Sequence, residues 1–199
     1  MCQTAAVSEA PRTSYTAASL LDVAVRVFNE RGYDGTSMGD LAAALGISKS
    51  SIYHHVAGKD ALLGLALDRA LSALFAVLDE QPSTDGRARD RLEHVLRRSV
   101  AVLDAELPSV TLLLRVRGNT PTEQAALERR REFDRRVSAL VHQAMVEGDL
   151  RADLDPALVT RLLFGTVNSL VEWYRPSRGA DAGQVADTLV EMTLRGLER

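Results

Sequence analysis

Apolar residues along this chain recur at spacings of three and four almost everywhere and alternate almost nowhere. That is the period of amphipathic helices; no window alternates β-branched or aromatic positions for long enough to make a strand. Leu20, Leu21, Ala24, Val27 and Phe28 give one face to a first helix over about residues 14–32, which Gly32 closes. Two short helices follow, over about 37–44 and 48–55, separated by a Gly46-Ile47 turn. A long helix runs over about 59–80 and stops before Pro82; Asp85 is placed to cap the next, about 86–106, which Pro108 ends. Residues 109–117 form a short apolar helix ended by Gly-Asn-Thr-Pro. Thr120, Pro121 and Glu123 are a start signal for a helix ending at Gly148, with Phe133, Val137, Leu140 and Ala144 as its buried stripe. Asp155-Pro156 starts another that Pro176 stops, and a last helix, about 182–198, buries Ala186, Leu189, Val190, Thr193 and Leu197. The expectation is an all-α chain of nine helices, with a seam near residues 58–60 where short helices give way to long ones.

Within this pattern the helix over 157–174 is apolar nearly all round, so it must be covered on more than one side. The simple solution is the subunit's own core on one side and a second copy on the other. With the 182–198 stripe it would build a four-helix bundle across a two-fold axis. Its few polar groups, among them Thr160, Arg161, Asn168 and Ser169, need partners where they face inward, and a ligand could be one.

The chain has 199 residues, 46% hydrophobic and 26% charged, enough for one large domain or two small ones. A net charge of −3 excludes a generally basic, histone-like binder, so nucleic-acid contact must come from a local patch. The one cysteine, Cys2, excludes an internal disulfide and a multi-cysteine zinc site. With no apolar run of signal or membrane-spanning length, residues 1–13 read as a mobile arm, the location as cytoplasmic and a membrane as no partner.

The only two lysines, Lys49 and Lys59, bracket the second short helix in a chain that otherwise uses arginine for every cation. Leu41, Leu45, Ile47 and Ile52 fall on inward positions, Ala42 and Ala44 are small enough for close helix approach, and Gly46 can take the positive φ of a tight turn. Ser48 caps the second helix, on which Lys49, Ser50, Tyr53 and His54 share an outward face. Such a face can enter a major groove: Ser50 and Lys49 reach base edges, Tyr53 and His54 reach phosphates or thymine methyls. Lys59 could pin a flanking phosphate, and Thr36 and Ser37 offer hydroxyls and N–H groups to another. The plainer alternative is an ordinary solvated helix face, and residues 1–60 do carry five lysines and arginines against six acids. Placement, not bulk charge, has to supply the electrostatics.

His54 and His55 point about 100° apart on a helix and cannot chelate together. His94 and His142 stand alone, and no nucleophile triad, phosphate loop or paired-carboxylate pattern appears. No metal, cofactor or catalysis is expected. The five arginines of residues 127–136 read as a solvated, partly ion-paired face or an anion site.

The segment FNERGYDGTSMGDLAAALGISKSSIYHHVAGKDALL, residues 28–63, resembles the helix-turn-helix of TetR-type one-component regulators almost position for position, including Phe28, Gly32, Tyr33, Thr36, Gly46, Ser48, Lys49, Tyr53, His54, Lys59 and Leu62. Ser50 stands where many members have glycine and Val56 where most have phenylalanine. The resemblance implies a DNA-binding unit over 14–58 and an effector and dimer domain over 59–199. It implies a homodimeric repressor on a pseudo-palindromic operator, released by a small molecule that shifts the 59–80 helix. LFGTVNSLVEWYRPSRG, residues 163–179, is similar to a subgroup answering to acyl-CoA or aromatic acyl-CoA thioesters. Phe75, Leu112, Asn168, Ser169 and Trp173 are the expected pocket lining, with Arg115 and Arg117 holding an anionic group at its mouth. The rival readings are a helical enzyme or carrier on the same scaffold, and a regulator answering to lipophilic drugs or cations.

Overall fold

The computed structural model describes residues 16–176 and 178–198. The expected arm over 1–13, with Cys2 and Arg12, lies outside the described residues, as do residues 14 and 15 of the expected first helix. The described residues form ten helices and no strand: α1 Ala17–Arg31, α2 Met38–Leu45, α3 Lys49–Tyr53, α4 Lys59–Asp79, α5 Gln81–Thr84, α6 Ala88–Ala105, α7 Leu107–Arg115, α8 Pro121–Val146, α9 Pro156–Trp173 and α10 Ala182–Leu194. The all-α expectation holds; the tenth helix is the single turn α5.

Local chemistry explains most boundaries. Thr16 caps α1 in a reciprocal box with Ser19, and Ser37 does the same for α2 with Asp40. Ser48 accepts the Ser51 N–H at the start of α3. Gly46 takes φ 66°, the left-handed turn that lets α2 and α3 meet at close range. Thr120, Asp155 and Asp181 cap α8, α9 and α10.

Two prolines follow the ends of α4 and α6, as the sequence reading had them, and also start the next helix. Pro82 and Pro108 sit in the first turns of α5 and α7, where a missing N–H removes no helical bond. Accordingly α7 covers 107–115 rather than 109–117. Asp85 does not cap α6. Arg87 occupies that position without a side-chain bond, and the Ala88 N–H is taken by Glu147 Oε2 at 2.8 Å, across from the end of α8. Such a cap depends on tertiary packing and has no local signature. The last helix stops at Leu194, and the chain then pins itself back through Arg151 N–H to Leu197 O at 2.9 Å.

α4 is the hub. It packs on α1 to one side and on α6, α7 and α8 to the other, burying Leu62, Leu63, Ala66, Leu67, Ala70 and Leu71. By length and composition it could cross a membrane, contrary to the expectation that no such run exists; its apolar faces are instead the centre of the core. Around α1–α3 the core closes on Leu20, Ala24, Phe28, Leu41, Leu45, Ile52 and Val56, with Ile47 half-buried. Ala42 is buried as expected, whereas Ala44 faces solvent. The stripe Phe133, Val137, Leu140 and Ala144 is buried, and Phe133 meets Phe75 and Phe164 edge-on at 5.8 and 5.2 Å. α10 lies along α6, and α9 along α8.

One buried acid organises the turn before α8. Glu123 is 5% exposed, and its Oε2 accepts the N–H groups of Arg117, Gly118 and Asn119 at 3.0, 2.7 and 2.9 Å. This is a different job from the reciprocal bond to the cap residue that its spacing suggested. Removing the carboxylate strands three donors, so Glu123→Ala should lower unfolding stability by about 3 kcal/mol. Glu123→Gln, which keeps one acceptor oxygen, should lose less. Urea denaturation of the two variants against the parent checks both values.

Candidate functional site

The outward face of α3 is assembled as its spacing predicts. Lys49, Ser50, Tyr53 and His54 are all exposed, Tyr53 at 49%, while Ile52 behind them is fully buried. The Ser48 hydroxyl lies 2.9 Å from that of Ser50 and 2.8 Å from that of Ser51, so the helix begins in a small hydroxyl cluster. This is a short rigid element presenting one cation, one aromatic and several hydroxyls to solvent.

Three flanking residues are held differently. Thr36 is buried at 2% exposure, and its hydroxyl donates to Gly32 O at 2.7 Å, which locks the end of α1. The hydroxyl expected to reach a phosphate is therefore spent inside the unit. Ser37 is exposed, yet its hydroxyl and N–H both donate to Asp40 Oδ2, at 2.6 and 2.8 Å. Those bonds hold the Asp40 carboxyl below the usual range. Lys59, expected to offer a free ammonium, donates to Tyr33 O at 2.8 Å and sits 4.2 Å over the Tyr33 ring. An ammonium has three donors, so one is committed to bracing the loop after α1 against the start of α4. Burial and the neighbouring Asp60 push the Tyr33 hydroxyl up to about 12.

A second site lies in the bundle. A cavity of about 210 Å³ opens between α4, α6, α7, α8 and α9, walled by Leu71, Leu74, Leu103, Leu113, Phe133 and Phe164. Its polar groups are Ser99 on α6, Arg130 and Asp134 on α8, and Arg161 and Asn168 on α9. Burial lowers the Arg130 pKa and raises that of Asp134, against the opposing pull each feels from opposite charge nearby. Arg130 donates to Leu113 O at 3.4 Å. Asp134 and Arg161 also line a crevice of about 230 Å³ that continues outward between α8 and α9 past Arg135 and Ser138.

Of the expected lining only Asn168 faces this cavity. Phe75 stands behind Phe133, under the guanidinium groups of Arg129 and Arg136 at 5.5 and 5.8 Å. Leu112 turns to the opposite side of α7, toward Phe28 and Leu63, and Arg115 and Arg117 go with it. Arg115 donates to Asn29 O at 3.0 Å and is a clamp on α1, not an anion holder at the mouth. Ser169 and Trp173 face away on α9, and Trp173 is 59% exposed. The reason is rotation: one residue along a helix turns the side chain by about 100°. Leu113 therefore lines what Leu112 cannot. Arg130, Asp134 and Arg161 were legible in principle: Arg130 and Asp134 flank the buried Phe133, and Arg161, Gly165 and Asn168 step along one side of α9. The arginine run of residues 127–136 divides accordingly. Arg129, Arg131, Arg135 and Arg136 pair with surface acids, and Arg130 turns inward.

The two sites meet at a polar junction. Asn29 Nδ2 donates to Pro108 O at 2.8 Å, and Arg69 on α4 bridges Asp22 of α1 and Glu106 before α7, at 2.7 and 2.6 Å. Asp60, in the first turn of α4, accepts the Thr122 hydroxyl of α8 at 2.6 Å. On the far side α9 and α10 leave an apolar crevice of about 330 Å³, with Leu162, Trp173 and Met192 largely exposed around it.

Comparison with known proteins follows the same division. Residues 20–66 match the family described as bacterial regulatory proteins, tetR family, and residues 85–197 match the tetracyclin repressor-like C-terminal domain. The HTH-type transcriptional repressor KstR2 of Rhodococcus jostii is 30% identical over 181 residues, 89% of each chain. SCO3833, a TetR-family member from Streptomyces coelicolor A3, superposes with a TM-score of 0.86 at 58% identity, covering 95% of this chain and 94% of its own. The ketosteroid transcriptional regulator KstR2 of Mycobacterium tuberculosis superposes at 0.85 with 26% identity, covering 94% and 97%. An exposed reading helix carried on a bundle with an internal cavity, and matches over both halves, place this chain in the TetR family of DNA-binding, effector-responsive transcriptional regulators.

Proposed function

We propose that the chain is a cytoplasmic, non-catalytic repressor that binds a pseudo-palindromic operator as a homodimer and releases it when an apolar acyl compound, as free acid or CoA thioester, fills the α4–α9 cavity. Residues 14–58 would read DNA and 59–199 would bind effector and partner. The observation that carries this reading is the cavity's position. Its walls belong to α4 and α7, the helices that also hold α1 through Arg69, Asn29 and Arg115. A ligand wedged between them is favoured in one arrangement of the reading unit over another, and a differential of a few kcal/mol suffices to lose an operator.

The chemistry of the mouth supports an anionic ligand. Two arginines stand there beside one aspartate, so a single carboxylate or phosphate brings the cluster near neutrality. The crevice past Arg135 and Ser138 leaves room for the polar part of a thioester while the acyl group stays inside. A lipophilic cation would have only Asp134 to pair with, against both arginines. The description of the M. tuberculosis relative as a ketosteroid regulator agrees with a large apolar ligand body. A helical enzyme on this scaffold would need a reactive constellation in the cavity, and Ser99 has no base beside it among the described residues.

For the dimer, the support is unpartnered apolar surface on α9 and α10, where Leu158, Leu162 and Met192 are 52%, 64% and 73% exposed. A face of that kind on two neighbouring helices is what a two-fold four-helix bundle buries.

Four outcomes follow from this reading. Lys49→Ala should weaken operator binding at all sequences and lower the slope of log affinity against log salt by about one, leaving the thermal midpoint unchanged. Lys59→Ala should lower the midpoint as well, because it removes the brace on Tyr33; equal midpoints for the two variants would refute the bracing role. Leu162→Glu combined with Met192→Glu should turn the dimer into a monomer in sedimentation at micromolar concentration. Finally, acyl- and aryl-CoA esters should release a labelled operator with micromolar midpoints, whereas lipophilic cations should not. Trp173 fluorescence will report the α9–α10 face, so release has to be read on the DNA.

A further inference from the structure

Ser99 sits in the middle of α6 among the buried residues Val95, Leu96, Val100 and Leu103. It is fully buried, it lines the cavity, and its hydroxyl has no hydrogen-bond partner. Four threonine hydroxyls on the surrounding helices close onto their own backbone. Thr111 donates to Leu107 O, Thr160 to Pro156 O, Thr166 to Leu162 O and Thr193 to Leu189 O, at 2.7 to 3.0 Å. Ser99 makes no such bond. An unpaired buried hydroxyl is unfavourable, and alanine would fit the same space without it. The position is therefore explained by something that arrives in the cavity.

The cavity also has direction. Arg130, Asp134 and Arg161 mark the mouth, since Asp134 and Arg161 continue into the outer crevice. Ser99, on α6 and without solvent access, marks the inner end. Leucine and phenylalanine side chains lie between the two. A ligand complementary to this layout is apolar in the middle and polar at both ends.

We propose that the effector carries an oxygen, as a ketone or hydroxyl, at the inner end of its apolar body, and that Ser99 hydrogen-bonds it. This rests on reading the cavity as the effector site. It narrows the effector from any acyl compound to one oxygenated away from its anionic end. A plain saturated acyl chain would bury its terminal methyl against Ser99 and leave the hydroxyl as unsatisfied as before. A ketone oxygen accepts a hydrogen bond from the Ser99 hydroxyl; a ligand hydroxyl can donate one to the serine oxygen.

The test uses the full dimeric chain and two rings of one shape, cyclohexanone and methylenecyclohexane, with dissociation constants measured by calorimetry or ligand-observed NMR. Neither carries CoA, so the result stands apart from whether thioesters release the operator. Ser99→Ala should weaken cyclohexanone by about tenfold, as expected for losing one buried hydrogen bond, and leave methylenecyclohexane unchanged or slightly tighter. The empty Ser99→Ala protein should unfold at the parent's temperature or above it, because no bond is lost. Equal change for the two rings, failure of both to bind, or a lower unfolding temperature for the empty variant would each overturn the proposal.

Discussion

Everything in this molecule depends on α4 belonging to two cores at once. Leu63 lines a pocket together with Phe28 of α1, while Leu71 and Leu74 wall the cavity of the bundle. Eight residues of helix separate Leu63 from Leu71, about 12 Å at 1.5 Å per residue. A buried helix of that length moves as a rod, because its side chains interlock with neighbours on both sides. Whatever displaces it at the cavity is felt at α1.

The joints around that rod are softer than the rod. Arg69 with Asp22 and Glu106, Asn29 with Pro108 and Asp60 with Thr122 are polar contacts at the surface, and Arg69 is 39% exposed in its side chain. Pairs this open contribute about 0–1 kcal/mol each. The two cores hold together through far larger apolar burial. The apolar packing along α4 therefore carries the connection between α1 and the bundle, and the polar contacts around it add little.

Polar groups that break the local pattern are the informative ones. In the arginine run of α8 four of five guanidinium groups find surface acids, and those pairs say little beyond solubility. Arg130 turns into a cavity where it gives up hydration for a single long bond to Leu113 O. Ser99 gives up hydration for nothing inside the protein. On the outer face the same logic applies to apolar groups: Leu162 and Met192 are exposed although the core had neighbours for residues one or two positions away.

How much of this could be read along the chain depends on the range of the forces involved. Helix content, the caps at Ser48, Thr120 and Asp155, the turn at Gly46 and the outward set Lys49, Ser50, Tyr53 and His54 were all legible. Each follows from residues within four positions of one another. Pro82 and Pro108 were visible as breaks, but a proline that begins a helix and one that follows its end look alike until the neighbouring turn is known. The cap on α6 from Glu147, the bracing of Lys59 by Tyr33 and the clamp of Arg115 on Asn29 join residues 26 to 86 positions apart. For the cavity, the sequence reading named lining residues on three of its five helices, α4, α7 and α9, and of these only Asn168 faces it; Leu112 stands one residue from the lining Leu113, and Ser169 one from Asn168. Helical period determines which residues share a face. Only the packing of α7 and α9 against their neighbours decides which face looks inward, because both sides of those helices are apolar enough to be buried.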